Sequence, residues 1–323
     1  MWRAIVVAAL CLSLPASGLA ADPYPTKPVR IIVPYSPGGS TDLTARIVAQ
    51  HLTEALGQPF IVENRTGAGS VIGSSAVAKA APDGYTLLMA DQSLVLAPSL
   101  YKSVPFDVQK DFTPITEIIR IPVVLVVNPA LGINTLEELV KYARANPGKL
   151  NYGSAGIGGA IHLASELFNK AANVDITHVP YSGGGGAMMN GVVGNHVQVV
   201  ITAVPTVLPF VQSGKLKALA IATADGKRSP VLPDVPSMSE AGVKGMEVYF
   251  WYGLAGPARL PREVVDILHA AVKKSLSSPK AREQFLVQGA EIIGSSPEEF
   301  EKHFSSEYRR WNAVIKAAGI KPE

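Results

Sequence analysis

Val29-Arg30-Ile31-Ile32-Val33, followed by Pro34-Tyr35-Ser36-Pro37-Gly38-Gly39-Ser40-Thr41-Asp42, decides how this chain is read. A β-branched run is broken by proline and glycine, and hydroxyl residues then stand where a helix would begin. The predicted helix covers residues 41–56, with Leu43, Ile47, Leu52 and Leu56 on its apolar side, Gly57 as its stop and Pro59 beyond. The same order returns further on: Leu150-Asn151-Tyr152 as a strand, Gly153-Ser154-Ala155-Gly156-Ile157-Gly158-Gly159 as a glycine loop, then a helix to about residue 171. Strand, glycine loop and helix, twice in one chain, predict an α/β fold of two lobes, each presenting a helix N-terminus to one cleft.

Outward from these two units the alternation continues. Strands are predicted at 60–62, 85–90, 118–127 with Pro122 dividing it, 176–179, 197–201, 216–222 and 248–254. Further helices are predicted at 70–80, from an Asn134 or Thr135 cap to 145, at 262–276 and at 298–318. Gly183-Gly184-Gly185-Gly186 reads as a flexible run, and the turn-rich residues 224–230 as a crossing between lobes.

The composition excludes several classes. The 323 residues carry a formal net charge of +3, with 47% hydrophobic and 17% charged side chains. That is enough apolar residue for a large core and too little charge for bulk disorder. With no basic run, a near-neutral chain argues against nucleic acid as a partner. Met1-Trp2-Arg3, the apolar run 4–14, Pro15 and Ala16-Ser17-Gly18-Leu19-Ala20-Ala21 have the layout of a secretory signal, with cleavage expected after Ala20. Its apolar run is too short to span a bilayer, and Leu10 before Cys11 argues against a lipoprotein site. Removal of 1–20 takes away Arg3 and the single cysteine, leaving 28 basic against 26 acidic side chains and no thiol. A soluble, exported, periplasmic protein is expected.

Helix N-termini carry unpaired N–H groups and partial positive charge, and glycine lets a ligand approach them closely. Either glycine loop alone is accounted for by a tight turn before a capped helix. Both together, in an exported α/β chain, favour an anion site. Asp42 would repel an anion unless its oxygens are occupied, so it is read as structural. Gly67-Ala68-Gly69-Ser70-Val71-Ile72-Gly73, with Asp91 after the next strand, misses the dinucleotide fingerprint by one place and is read as tight packing at a helix start. The Gly183–Gly186 run lacks the ending of a phosphate-binding loop. There is no nucleophile elbow, and the six histidines have no metal-ligand spacing. His162, in the first turn after the second loop, is the one histidine that could face the cleft, although a lone histidine there is more often a packing or hydrogen-bonding residue. Trp251 and Tyr252 are read as core, or as one wall of the cleft. No cofactor, metal or catalytic residue is expected.

With these segments in place the chain resembles the Bug, or TctC-like, extracytoplasmic solute-binding proteins of tripartite tricarboxylate transporters. The resemblance is carried by residues 28–34 with 37–42, by Val62-Glu63-Asn64-Arg65-Thr66-Gly67-Ala68-Gly69, by Pro82-Asp83-Gly84-Tyr85-Thr86-Leu87 and by Asp111-Phe112-Thr113-Pro114. It continues in residues 147–152, Ser154-Ala155-Gly156 with His162-Leu163, His178-Val179-Pro180-Tyr181, Leu232-Pro233-Asp234-Val235-Pro236 and Glu240-Ala241-Gly242. It implies a two-lobed Venus-flytrap fold with two crossing strands. The implied lobes are residues 21–121 plus 226–323, and residues 122–225.

The resemblance further implies a protein that is not an enzyme, a monomer that captures a small carboxylate and delivers it to membrane subunits. The ligand class is a di- or tricarboxylate or an aromatic acid. Carried over residue by residue, Ser36, Gly38, Gly39, Ser40 and Thr41 would meet the ligand from one lobe. Ser154, Ala155, Gly156 and His162 would meet it from the other, with Tyr181 and Gln92 nearby. Two departures stand out. Ser182 and the glycine run replace a common Lys-Gly, and Thr202 stands where many members have an acidic residue. The second departure favours a ligand without an ammonium group. The sequence does not separate transport from a ligand sensor docking on a membrane receptor, and an exported α/β enzyme fits less well.

Overall fold

A computed structural model of the chain describes residues 24–322 apart from 182–183, 247, 288, 318 and 320–321. The expected export signal at 1–20 and the Ser182-Gly183 departure lie outside the described residues. In chain order the elements are β1 (Val29–Val33), α1 (Ser40–Leu56), β2 (Phe60–Asn64), α2 (Val71–Ala78), β3 (Thr86–Asp91) and α3 (Gln92–Leu100). Next come β4 (Phe112–Val127), α4 (Leu136–Ala145), β5 (Asn151–Ser154), α5 (Ala160–Ala172), β6 (Thr177–Pro180) and α6 (Gly184–Val193). β7 (Val199–Ala203), α7 (Val204–Gln212), β8 (Lys217–Ala222), β9 (Tyr249–Pro257), α8 (Arg262–Leu276), α9 (Pro279–Leu286), β10 (Glu291–Ile292) and α10 (Pro297–Ala317) complete the chain.

The strands run in the order β2-β1-β3-β9-β4-β7-β5-β6, with β8 and β10 also on β4. β1 is parallel to β2 and β3, and β5 is parallel to β6 and β7. β4 joins the two halves. As far as Pro122 it pairs with β9, Pro122 lying opposite Tyr249. From Val123 it pairs instead with β7 and β8, Val123 lying opposite Ala203 and Ala222. Pro122, expected to divide the strand, leaves it extended; it sits where the partners change, a place that tolerates a missing N–H.

Beyond that point the side chains of β4 alternate between two cores, as the twofold period of a strand requires. Val123, Leu125 and Val127 join the main cluster, while Val124 and Val126 face Met188, Val192 and Val204. Layers on both faces explain why these strands are apolar runs rather than alternating ones.

α1 differs from its sequence reading in which face it buries. Ala45, Val48, Ala49 and Leu52 are buried, Leu43 is exposed, and Ile47 and Leu56 are half-buried. Thr41 and Asp42 turn inward to hydrogen-bond partners, which rotates Leu43 outward. Gly57 ends the helix as expected, at φ 73°. α3, α6, α7 and α9 were not anticipated, and the glycine run read as flexible is instead the start of α6 from Gly184 onward.

Candidate functional site

Strand ends bring the two glycine loops to one place. Asp91, the last residue of β3, lies opposite Tyr252 on β9, three residues from Tyr249 and so from the partner change at Pro122. Ala203, the last residue of β7, lies opposite Val123. The carboxyl ends of the parallel strands therefore approach the same point on β4 from opposite sides, the general position of ligand crevices in α/β sheets. A side-chain contact closes the gap between halves: a Cβ placed on Gly158 would come within 2.6 Å of Leu100 on α3.

The first wall is the N-terminus of α1. Gly39 is its N-cap, at φ −78° and ψ 168°, with no side chain capping the helix. A Cβ at Gly39 would meet nothing within 4 Å. Neither conformation nor packing calls for glycine there, and serine, threonine, aspartate or asparagine caps a helix better. The N-cap of α5 repeats the arrangement: Gly159 at φ −63° and ψ 166°, no side-chain cap, and only Gly156 O at 3.9 Å from an added Cβ. Two helices thus begin with bare backbone and open space. Gly38 is different, since its φ of +90° does need glycine.

Hydrogen bonds fix the first loop. Asp42 accepts from Gly38 N at 3.0 Å, from Arg46 Nε at 2.9 Å and Nη2 at 3.0 Å, and from Asn64 Nδ2 at 2.9 Å. Burial would raise its pKa; these donors outweigh it and hold the carboxyl below the usual carboxylate range. Its oxygens are occupied, as the structural reading required. Behind the helix, Ser40 Oγ lies 2.7 Å from the Tyr252 hydroxyl, and Thr41 donates to Asp91 Oδ2 at 3.3 Å. Asp91 Oδ1 accepts from Ser93 N at 2.9 Å and from the Tyr35 hydroxyl at 3.1 Å, capping α3. Burial pushes the Asp91 carboxyl up to about 6 against the pull of those donors, and raises Tyr35 and Tyr252 as well.

The second wall is built on histidines. Ser154, fully buried, donates to Gly156 O at 2.8 Å and accepts from Gly156 N at 3.2 Å. Its oxygen also lies 2.6 Å from His178 Nε2. His162 Nδ1 accepts from Gly158 N at 2.8 Å. The two imidazoles stack with centroids 3.9 Å apart and planes 10° apart, and Tyr152 stacks on His178 at 4.9 Å. Burial lowers both histidines to about 4, so both are neutral at neutral pH.

The expected site residues divide accordingly. Ser36, Gly38, Gly39 and Ala155 are exposed on the loops, and Ser40 and Gly156 are half-buried. Thr41, Ser154 and His162 are buried and hydrogen-bonded at the two helix starts. Gln92 begins α3, buried, and its Oε1 has no hydrogen-bond partner among the described residues. Tyr181 packs over Gly153 and reaches Gly191 on α6. Thr202 is buried on β7 opposite Val124.

His178, Tyr35 and Ser93 were missed as contributors. The sequence signal for His178 was its place in His178-Val179-Pro180-Tyr181; its position opposite Tyr152 of β5 comes only with strand pairing. Gly73 bears out the packing reading of the 67–73 loop: a Cβ there would lie 2.8 Å from Arg65 O and 2.9 Å from Pro34 Cα. Among the described residues no group of three or more His, Cys, Asp or Glu is placed to hold a metal, and no helix is long and apolar enough to cross a membrane.

Comparison with known proteins agrees over most of the chain. Residues 44–320 match the family model described as TctC, tripartite tricarboxylate transporter family receptor. Protein BugT of Bordetella pertussis is 37% identical over 95% of this chain and 94% of its own. The solved structure of R. palustris Rpa4515 with adipate superposes with a TM-score of 0.86 at 36% identity, covering 93% of this chain and 100% of that one. That of MatC from Rhodopseudomonas palustris with bound malate superposes with a TM-score of 0.81 at 32% identity, covering 90% and 100%.

Proposed function

This chain belongs to the tripartite tricarboxylate transporter receptor family, and from that premise we propose that it captures a small carboxylate in the periplasm for a tripartite tricarboxylate-type transporter. Its family and fold are those of solute-binding proteins. The supporting observation is the pair of uncapped glycine N-termini, Gly39 of α1, next to Ser40 and Thr41 on Tyr252 and Asp91, and Gly159 of α5, next to Gly158 against Leu100 of α3. Backbone N–H groups of two helices then hold the anion, and a near-neutral net charge is enough. Ser36, Gly38, Gly39, Ser40 and Thr41 serve one end of the ligand. Ser154, Ala155, Gly156 and His162 serve the other, with Gln92, Tyr181 and Thr202 behind them.

The lobes in this reading are residues 21–121 with 226–323, and residues 122–225. The partner change at Pro122 supports the first boundary. The return is gradual, because Ser237 still bridges to Ile221 of β8 before β9 starts at Tyr249. A ligand touching both loops favours the closed arrangement of the lobes. Solved relatives hold adipate and malate, which sets the chemistry to try first. With Thr202 rather than an acid on β7, the ligand carries no ammonium group.

A thermal-shift and calorimetric series with adipate, malate, benzoate and aspartate tests this. At least one plain carboxylate is expected to raise the melting temperature in step with its concentration over its dissociation constant. Stabilisation by aspartate alone would overturn the ammonium-free reading, and none by any acid would overturn the carboxylate reading itself.

A further inference from the structure

We propose that His178 is a positioning residue for the second glycine loop, holding Ser154 and, through it, the backbone at Gly156 in the shape that opens the α5 N-terminus to the ligand. The inference rests on the carboxylate-binding reading above. It starts from where the protons must be. The Ser154 hydroxyl gives its hydrogen to Gly156 O at 2.8 Å. Its oxygen then has two acceptor positions, one taken by Gly156 N–H at 3.2 Å. The other meets His178 Nε2 at 2.6 Å, so this nitrogen carries a proton and donates it. One imidazole therefore completes the serine's hydrogen bonding at a buried position, where an unmet partner is costly.

The imidazole is itself held in orientation. His178 lies on β6 opposite Tyr152 of β5, and its ring stacks on His162 of α5 and on Tyr152. The titratable groups facing it are His162, Tyr152 and Glu166, the last accepting from the Tyr152 hydroxyl at 2.5 Å. His162 must be unprotonated at Nδ1 to accept from Gly158 N at 2.8 Å. A second positive ring at 3.9 Å is unfavourable, and burial keeps both rings neutral. Loop positions 154, 156 and 158 are thus tied to two stacked neutral rings, only one of which, His162, belongs to the expected ligand contacts.

The test is a double-mutant cycle read by calorimetry with adipate and malate. His178→Phe keeps a stacking ring and removes the donor; its affinity should fall about tenfold. His178→Gln returns an amide N–H near the Nε2 position and should recover affinity to within about threefold of the native protein. If His178 acts through Ser154, the double variant with Ser154→Ala should bind no more weakly than Ser154→Ala alone. Unchanged binding by His178→Phe, no recovery by His178→Gln, or additive losses would each overturn the assignment. Should His178→Phe fail to fold, His178→Met, which also lacks the donor, takes its place in the cycle with the same expected loss. Failure of the native protein to bind any of adipate, malate, benzoate or aspartate would instead remove the carboxylate reading, and this inference with it.

Discussion

Valine at position 39 is expected to lower carboxylate affinity ten- to hundredfold while leaving the melting temperature within about 3 °C of the native protein. The expectation combines two observations. Gly39 sits at φ −78° and ψ 168°, extended backbone that valine adopts readily, and an added Cβ meets nothing within 4 Å. Losing a glycine N-cap costs about 1 kcal/mol at most. The ligand, however, must approach the N–H groups of the first turn, and a branched side chain at the mouth of the helix keeps it away. One or two charge-assisted hydrogen bonds, each worth roughly 1.5–3 kcal/mol, are then weakened or lost. Scanning calorimetry and ligand titration on one preparation separate the two effects. Native affinity in a folded Gly39→Val protein would remove the α1 N-terminus from the site. Position 38 is unsuitable for this purpose, because its φ of +90° would confound binding with backbone strain.

Trp251→Ala should have the opposite profile, a loss of roughly 3–5 kcal/mol of stability and a melting temperature lower by roughly 10 °C. Trp251 is fully buried on β9, opposite Arg120 of β4 and close to the partner change at Pro122. Its ring meets Phe300 and His303 edge-on, both at 5.6 Å, and Phe304 at 5.9 Å. Alanine leaves a cavity between β9 and α10 that a close-packed core refills only in part. Trp251 Nε1 has no hydrogen-bond partner among the described residues. Phenylalanine therefore forfeits volume alone, and Trp251→Phe should cost less than half as much. Chemical denaturation of both variants measures this. Equal losses for the two would overturn the cavity account.

Much of this fold was legible because its sharpest signals are local. Gly57 after Leu56, Thr135 before Leu136 and the two glycine loops mark helix ends by backbone chemistry that no tertiary context changes. The missed helices lack such marks. α3 is apolar with Pro98 inside it, α7 holds Pro209, and α6 opens on glycines, so periodicity and propensity both argued against them. Packing on both sides of the sheet overrode propensity there. The rotation of α1 was illegible for another reason: the inward turn of Thr41 and Asp42 depends on Asp91 and Asn64, which the chain supplies from elsewhere.

The site divides the same way. The loops could be read from their glycines, whereas His178, Tyr35 and Ser93 act only through neighbours brought in by strand pairing. Even an expected residue such as Tyr181 has a side-chain direction that no spacing rule supplies, since it depends on Gly153 and Gly191 being bare.

The shared strand β4 has a consequence for how the molecule is assembled during synthesis. β7 and β8, which pair with its second half, and β5 and β6, which extend the sheet from β7, all lie within residues 123–222 and follow it directly from the ribosome. The first half has no such neighbour at hand, because β9, which must slot between β3 and β4, begins only at Tyr249. The half that the chain starts first is therefore left with an open sheet edge while the other is made, and it is the last to be finished.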